Sequence, residues 1–483
     1  MRSSDLAFSG LAAQSQALAA GEVSSGELTQ LCLARIGRHD GRLNSFRTVY
    51  WEQALAEADR ADDARGGGDD RPLLGVPIAI KDVFDVEGDV TTQGSAANET
   101  VATADAEVVR RLREAGAVIV GKTTTPELAQ WGFTESAAWG ATRNPWDTGR
   151  QTGGSSGGTA AAVAAGLVGA ALGSDGAGSI RIPAAACGLF GLKPQRGRVS
   201  LAPATDHWHG LSTAGPLTRR VLDSAMFYDA VAADHPHAPN LPADGFAAAA
   251  ERDPGRLRIA VVTEPMLPWL PVTQAAHDGV QQVVDALRTC GHDVEPGTIE
   301  AGGPLATLML LPRYLRGIRD DAQQVDRPER LERRTRQMAR LGGLVPDAVL
   351  HKVREAEPTW AERVNSLLID HDVILMPTLA HLPPRVGRWE GQGALRTLDG
   401  MTRYVPFTQM WNVTGQPAAS IPTGGFSEGM PLSAQLVGRP NDEVTLLSLA
   451  AQLEEELGWP DAVPPEFAGD DDPPTETHER GDG

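Results

Sequence analysis

Apolar and polar positions along this chain repeat at two spacings, one typical of helices and one of strands. In residues 105–122, apolar side chains first recur at helical spacing and then form a continuous run at 117–120. A period near 3.6 residues predicts an amphipathic helix, and a short apolar run predicts a buried strand. The apolar run from Leu73 to Asp82 therefore predicts another buried strand, with Lys81 near its end.

The two patterns alternate over most of the chain. Alternating helices and strands indicate an α/β protein with a β-sheet covered by helices. The predicted helices are 5–38, 52–65, 105–116, 159–168, 216–233, 273–290, 300–365 and 446–457, and the predicted strands are 73–82, 117–120, 168–172, 258–262, 371–380, 411–424 and 432–440. The segment from about 300 to 365 is rich in arginine and predicts a solvated helical face, with a lid over a pocket as the alternative.

Composition narrows the possible partners and the cell compartment. The chain has 483 residues, is 41% hydrophobic and carries a net charge of −20, which disfavours nucleic acids and anionic membranes as partners. Three cysteines argue against a disulfide framework and favour a reducing cytoplasm. No apolar run reaches the roughly 18 residues of a membrane helix, and we identify no signal peptide. We therefore expect a cytoplasmic protein with a disordered acidic tail at 466–483.

Two serines embedded in glycine, Ser155 and Ser179, mark the candidate chemistry. A helix of small residues separates them, and glycine-rich turns let a substrate approach the backbone closely. Residues 153–157 formally match the G-x-S-x-G elbow of α/β-hydrolases, but a loop rather than a strand precedes them. Phosphate-binding patterns fail because no Lys-Ser/Thr follows either turn, and glycines that serve packing alone remain the plain alternative. The pair at His207 and His209 has the spacing of metal ligands, but no third ligand is apparent, so we predict no metal.

The order of motifs resembles the amidase signature family of serine hydrolases. The matching segments are GVPIAIKD (75–82), RNPWD (143–147), GGSSGG (153–158), GSIR (178–181), PAAACGLFGLKP (183–194), GPLTR (215–219), DVILMPT (372–378), FTQMWNVTGQPAASIP (407–422) and QLVGRPNDE (435–443). The resemblance implies one domain over 1–465 with a core motif region at 75–220. It also implies a large, mixed, twisted central β-sheet with helices on both faces, and no cofactor.

Carried onto this sequence, the family's Ser-cisSer-Lys group implies that Ser179 is the nucleophile, Ser155 the bridging serine and Lys81 the base. A serine hydroxyl is a weak nucleophile until a base takes its proton. Lysine can be that base when burial lowers its pKa from its usual value. The resemblance also implies a cis Gly154–Ser155 peptide and a supporting role for Ser156.

The turn before Ser179 implies an oxyanion hole built from backbone N–H groups. The candidate donors are Gly176, Ala177, Gly178 and Ser179. The commoner family form has Thr or Ile followed by Gly where this chain has Gly176-Ala177. If the second of these positions needs a positive φ, alanine is strained there. We also expect Asp175 and Arg181 to form a salt bridge that stabilises the turn.

The sequence indicates the type of reaction more clearly than it indicates the substrate. Candidate pocket residues are Trp131, Phe133, Trp411, Thr152, Gly153 and Gly154. Aromatic walls favour a small-molecule amide of a neutral, hydrophobic or aryl acid, with esters and carbamates as possible side substrates. We expect a monomer or homodimer. The alternatives are the glutaminase subunit of a tRNA-dependent amidotransferase and a catalytically silent binding protein on the same fold.

Overall fold

The fold is built on a mixed β-sheet, and the computed structural model describes residues 3–265, 267–300 and 304–469. Its strands are β1 (Phe46–Val49), β2 (Pro77–Lys81), β3 (Val118–Thr123), β4 (Glu135–Ser136), β5 (Gly140–Ala141), β6 (Ala170–Asp175), β7 (Gly191–Lys193), β8 (Thr213–Thr218), β9 (Arg258–Val261), β10 (Asp293–Pro296), β11 (Val373–Pro377), β12 (Ala418–Ser427) and β13 (Met430–Val437). One group has the order β1-β3-β2-β6-β8 and a second has the order β10-β9-β11-β13-β12-β7, while β4 and β5 form a separate hairpin.

The two large groups join into one sheet. Phe190 and Thr218 exchange backbone hydrogen bonds of 2.9 and 3.1 Å, which connects the strand β8 to the chain entering β7. Parallel pairs lie at β3-β2-β6 and at β11-β9-β10, and antiparallel pairs complete both groups. The predicted α/β class with a large mixed sheet is thus confirmed.

Helices cover both faces of this sheet. They are α1 (Ser3–Phe8), α2 (Leu11–Ala19), α3 (Ser25–Leu43), α4 (Trp51–Gly66), α5 (Glu107–Glu114), α6 (Gly157–Ala164), α7 (Arg181–Cys187), α8 (Val221–Val231), α9 (Gly245–Ala250), α10 (Gln274–Thr289), α11 (Pro304–Gln324), α12 (Arg333–Gly342), α13 (Asp347–Val364), α14 (Leu367–Asp370), α15 (Ala394–Tyr404), α16 (Met410–Thr414) and α17 (Glu443–Leu457). Neighbouring strand residues alternate between two apolar clusters, with Ala79 in one and Ile78 and Ile80 in the other. This alternation is the period of two that a strand imposes, and it places one cluster on each face.

Several predicted elements differ from the observed ones, as three examples show. The helix predicted over 5–38 is three helices, because Gly10 and Gly21 adopt positive φ angles of 88° and 69° that end helical turns. The first residues of the predicted helix 216–233 belong instead to β8, which pairs antiparallel with β6. The first residues of the predicted strand 411–424 form α16, which ends at Gly415.

The arginine-rich middle segment contains α11, α12 and α13, as its helical pattern predicts. It is more than a solvated face, because Ile318 and Tyr314 of α11 are buried in the core. Most of the predicted disordered tail lies outside the described residues. The chain remains ordered past the predicted boundary, because Phe467 is buried and its carbonyl accepts a hydrogen bond from Arg35 at 2.9 Å. Among the described helices, none combines the length and the apolar character that a membrane span requires.

Candidate active site

Lys81 lies at the carboxyl end of β2, and the surrounding sheet determines its position. β2 pairs in parallel with β3 on one side and with β6 on the other. Parallel strands bring their carboxyl ends to the same edge of a sheet, so Lys81 and Asp175, the last residue of β6, reach one edge together. Lys81 is fully buried at this edge.

The amine of Lys81 contacts two serine hydroxyls. Nζ lies 2.7 Å from Ser155 Oγ and 2.9 Å from Ser174 Oγ. Burial lowers the pKa of Lys81 to about 7, because the charged amine loses its hydration, and the nearby Asp175 carboxylate opposes this change. A lysine with this pKa exists partly as the free amine at neutral pH and can accept a proton from a hydroxyl.

Ser155 lies on a tight turn that admits no side chain at the preceding position. The Gly154–Ser155 peptide bond is cis. A Cβ on Gly154 would lie 2.6 Å from a backbone carbon of Phe133, a distance that real contacts essentially never show. The hydroxyl of Thr134 donates to the Gly153 carbonyl at 3.0 Å and so holds the turn from the other side. The local packing therefore requires glycine immediately before Ser155.

Ser156 connects the two serine turns. Its N–H donates to the carbonyl of Ser179 at 3.3 Å, and its hydroxyl donates to the carbonyl of Ser174 at 3.2 Å. The N–H of Ser174 donates back to the same hydroxyl at 3.3 Å. Since Ser174 also contacts Lys81, these bonds join the lysine, the Ser155 turn and the Ser179 turn into one unit.

Asp175 and Arg181 form the ion pair that stabilises the Ser179 turn. They lie 3.0 Å apart, and both side chains are fully buried. Asp175 Oδ1 also accepts the N–H of Gly178 at 2.6 Å, and Oδ2 accepts that of Ile180 at 3.2 Å. Burial alone would raise the pKa of Asp175, but the Arg181 guanidinium and the donated hydrogen bonds lower it to about 2. The carboxylate therefore stays charged and keeps the turn closed.

Distant parts of the chain hold Arg181 in place. Its guanidinium donates to the carbonyl of Thr408 at 2.8 Å, to Gln435 Oε1 at 2.8 Å and to Asn412 Oδ1 at 2.7 Å. Asn412 Nδ2 donates in turn to Asp175 Oδ1 at 2.8 Å. The buried charges are thus paired and hydrogen-bonded, which is the condition under which buried ions are tolerated.

Three of the four predicted oxyanion donors on the Ser179 turn have a backbone N–H that is still available. Gly178 donates its N–H to Asp175, so it is engaged, whereas the N–H groups of Gly176, Ala177 and Ser179 have no partner among the described residues. Gly178 has a φ of 121°, a value that favours glycine. Ala177 is not among the described residues with positive φ, so the strain considered for alanine at this position does not arise.

An apolar cavity of about 160 Å³ opens beside Ser179. Of the predicted pocket residues, Trp131 lines this cavity. Phe133 lies behind Trp131, with ring centroids 5.9 Å apart, and stacks on Trp389 at 4.6 Å. Trp411 is fully buried in α16. Phe133, Trp411, Thr152, Gly153 and Gly154 are not part of the cavity wall, so most of the predicted pocket residues support it rather than line it.

The helices α11 and α15 supply cavity walls that the sequence pattern did not predict. Ala306, Leu310 and Tyr314 of α11 line the cavity at intervals of four residues, together with Leu398 and Met401 of α15. The segment expected to be a solvated face therefore covers the pocket, as its alternative interpretation proposed. The apolar stripe at intervals of four residues was the signal in the sequence, but the surrounding arginines concealed it.

The paired histidines belong to a hydrogen-bonded wall and contact carboxylates. His207 Nε2 lies 3.3 Å from Asp321, and His209 Nε2 lies 3.0 Å from Asp320. Among the described residues, no group of three or more His, Cys, Asp or Glu side chains has the arrangement of a metal site. Cys187 is buried, and burial raises the pKa of its thiol well above its ordinary value, as for a cysteine that serves packing.

Comparisons with known proteins assign this chain to a family. A family model described as Amidase matches residues 27–447. This chain belongs to the amidase signature family. The protein named "Putative amidase AmiB2" from Mycobacterium tuberculosis is 50% identical over 462 residues, which cover 95% of this chain and 98% of that protein. The resemblance inferred from the motifs is confirmed.

Solved structures support the same assignment. A structure of 6-aminohexanoate cyclic dimer hydrolase complexed with substrate matches with a TM-score of 0.87 and 31% identity, covering 96% of this chain and 100% of that one. A bacterial aryl acylamidase of the amidase signature family matches in fold with a TM-score of 0.83 at 22% identity, over 92% of this chain and 96% of that one. The chain is an amidohydrolase of this family.

Proposed function

We propose that this amidohydrolase cleaves carboxylic amides through an acyl-enzyme on Ser179, with Ser155 as proton relay and Lys81 as base. One observation carries the proposal. The fully buried Lys81 has a pKa lowered to about 7, and its amine lies 2.7 Å from the Ser155 hydroxyl. A neutral amine beside a hydroxyl is the arrangement that activates a serine nucleophile without histidine.

The reaction has two halves. In the first, Ser179 Oγ attacks the amide carbonyl carbon, and its proton passes through the Ser155 hydroxyl to Lys81 Nζ. The tetrahedral intermediate collapses as the C–N bond breaks, and the proton returns through Ser155 to the leaving nitrogen. In the second, water attacks the ester, gives its proton to the same relay and releases the acid with the Ser179 hydroxyl restored.

The oxyanion of each tetrahedral intermediate needs donors that are already in place. We assign this role to the N–H groups of Gly176, Ala177 and Ser179, because the N–H of Gly178 is bonded to Asp175. Preorganised backbone donors in a buried site stabilise a developing negative charge strongly, since they need no reorganisation during the reaction. Ser156, Asp175 and Arg181 act as positioning residues around this turn.

The apolar cavity favours an amide whose acyl part is neutral and hydrophobic or aryl. The solved relative at 31% identity is named 6-aminohexanoate cyclic dimer hydrolase, which makes that compound a suitable member of a substrate panel. Esters and carbamates enter the panel as side substrates, since the same acyl-enzyme chemistry serves them. The proposed mechanism uses no metal or other cofactor.

Active-site labelling tests the proposal directly. A fluorophosphonate probe should label the wild type once per chain and leave Ser179→Ala unlabelled. Ser155→Ala and Lys81→Met should be labelled at least a hundredfold more slowly, because general-base catalysis contributes about 10²–10⁴-fold. Ser366→Ala is a matched control, since that hydroxyl bonds to the Arg363 carbonyl at 2.8 Å outside the cavity.

The rival hypotheses predict other outcomes of the labelling and of turnover assays. Labelling that survives in Ser179→Ala and disappears in Ser155→Ala would favour the nucleophile-elbow interpretation. Ammonia release from glutamine only after addition of partner subunits would favour the glutaminase subunit. An unlabelled wild type without turnover on amides, esters or carbamates would favour the silent binding protein. Activity lost on chelation would overturn the cofactor-free mechanism.

A further inference from the structure

Trp208 lies between two cavities, one lined by Ser179 and the other by Ser174 next to Lys81. The apolar cavity of about 160 Å³ includes Ser179 in its wall. A polar cleft of about 870 Å³ includes Ser174, whose hydroxyl contacts Lys81 at 2.9 Å. Among the described residues, Trp208 and Ala129 line both spaces, and Trp208 is by far the larger side chain. The indole is therefore the main partition between them.

The partition is fixed on several sides. The indole N–H of Trp208 donates to Asp321 Oδ2 at 2.7 Å, and Tyr314 packs edge-on against the ring at a centroid distance of 5.3 Å. A Cβ on Gly176 would lie 2.8 Å from the ring, and one on Gly317 would lie 2.5 Å from it. The ring can occupy this place because Gly176 stands where the commoner family form has Thr or Ile.

The two sides of the partition offer different chemistry. On the Ser179 side the wall includes Ile182, Leu310 and Val413, which favour an apolar group. On the Ser174 side the described wall contains aspartates, among them Asp320 and Asp326, and contains neither lysine nor arginine. Burial on the first side stabilises an apolar chain, and an amine or ammonium group keeps polar surroundings on the second.

We propose that Trp208 is a specificity-determining residue that directs the acyl chain into the apolar cavity and the leaving amine into the polar cleft. The inference rests on the proposed function and names its substrate class, an amide between an apolar acid and a neutral or cationic amine. The placement agrees with the proposed reaction, because the proton returns from Lys81 through Ser155 to the leaving nitrogen, and Ser174, which contacts Lys81, lines the cleft.

The apolar cavity also indicates the shape of the acyl group. Its wall along α11 runs from Ala306 to Tyr314. Eight residues of α-helix rise about 12 Å at 1.5 Å per residue. Tyr314 lies against Trp208 and thus near the reactive end, so an extended chain would reach from Ser179 toward Ala306. We therefore expect an elongated acyl group of medium length rather than a compact one.

An acyl series compared in wild type and Trp208→Ala tests the partition. The substrates are 4-nitroanilides of straight-chain acids, together with one acid of hexanoyl length that ends in a carboxamide. In the wild type, kcat/KM should rise about fourfold for each buried methylene and should be at least a hundredfold lower for the carboxamide. In Trp208→Ala, the carboxamide-to-hexanoyl ratio of kcat/KM should rise at least tenfold, because the acyl chain can then turn through the opened partition and place its polar end in the cleft instead of near Ala306.

The ratio separates a change in specificity from general damage to the enzyme, which would lower kcat/KM equally for both substrates. Trp139→Ala is the matched control, since Trp139 lies outside both cavity walls. If Trp208→Ala fails to fold, Asp321→Ala decides, because it removes the indole's hydrogen-bond partner and should shift the ratio in the same direction by a smaller factor. An unchanged ratio in the folded variant overturns the inference and leaves the proposed function intact.

Charge on the leaving amine tests the assignment of the cleft. Hexanoyl amides of 1,3-diaminopropane and of β-alanine are similar in size and opposite in charge. The wild type should prefer the cationic amide at least tenfold in kcat/KM, and a preference for the anionic one overturns the assignment. A wild type that turns over no member of either series overturns the proposed function and this inference with it.

Discussion

The pH dependence of acylation follows from the state of Lys81. In the proposed mechanism, Lys81 must be neutral to accept the proton of the relay, so activity requires the deprotonated amine. Lowering its pKa from 10.5 to about 7 raises the neutral fraction at pH 7 from about 0.03% to about half. Burial at the end of β2 thus increases the amount of active base on the order of a thousandfold. A change of this size in the neutral fraction of Lys81 is large enough to detect in the pH dependence of the labelling rate.

The direction of the pKa change determines whether the acylation rate rises or falls with pH. Below pH 7 the ammonium dominates, and the acylation rate should fall about tenfold for each pH unit. Above pH 7 the amine is free and the rate should reach a plateau. The assay is the second-order rate constant of fluorophosphonate labelling between pH 5 and 9, with circular dichroism at each pH to show that the fold persists.

Two results would refute this reasoning. A profile that still rises tenfold per unit between pH 8 and 9 would mean that Lys81 keeps an ordinary pKa. A flat profile between pH 5 and 9 would mean that no group with a pKa near 7 controls acylation. Lys81→Met supplies the internal control, because its residual labelling should lose the inflection near pH 7. An inflection that survives in Lys81→Met would assign it to another group.

Further substitutions test the supports of the site. Lys81→Met should raise the free energy of unfolding at pH 7, since a lysine with a lowered pKa opposes folding below its ordinary pKa of 10.5, and a higher thermal midpoint than wild type checks this. Gly154→Ala should destabilise the protein by about 1–3 kcal/mol and abolish labelling, because its Cβ would overlap the Phe133 backbone. Gly66→Ala, with nothing within 4 Å of its Cβ, should do neither. Asp175→Asn should cost about 3–5 kcal/mol in urea unfolding, because it leaves a buried guanidinium without its counter-charge, and a loss below 1 kcal/mol would contradict the role of the ion pair.

Local patterns predicted the parts of this protein that depend on nearby residues. The apolar run ending at Lys81 is β2, and the helix and strand predicted over 105–122 are α5 and β3. The apolar stripe of α5 is buried, as its spacing predicts. The family resemblance supplied the remaining step, because no periodicity indicates that Lys81 and Ser155 meet across the sheet.

Features that depend on distant packing were missed. Residues 216–218 have the apolar character of a helix start, but pairing with β6 makes them a strand. Phe133 and Trp411 are aromatic and close to motif residues, yet their positions behind the wall depend on neighbours that the local sequence does not specify. The contribution of α11 to the pocket depends on which of its faces is turned toward the cavity, and composition alone cannot decide this.

The network around Arg181 has a consequence for the order of synthesis. Its guanidinium is held by Thr408, Asn412 and Gln435, which lie more than two hundred residues beyond it. During translation the chain emerges from its N-terminus at about 5–20 residues per second. Lys81 and both serines are therefore exposed to the cell long before the partners of Arg181 exist. We therefore expect an interrupted translation product to carry Lys81, Ser155 and Ser179 without the contacts that hold Arg181, and so without an ordered Ser179 turn.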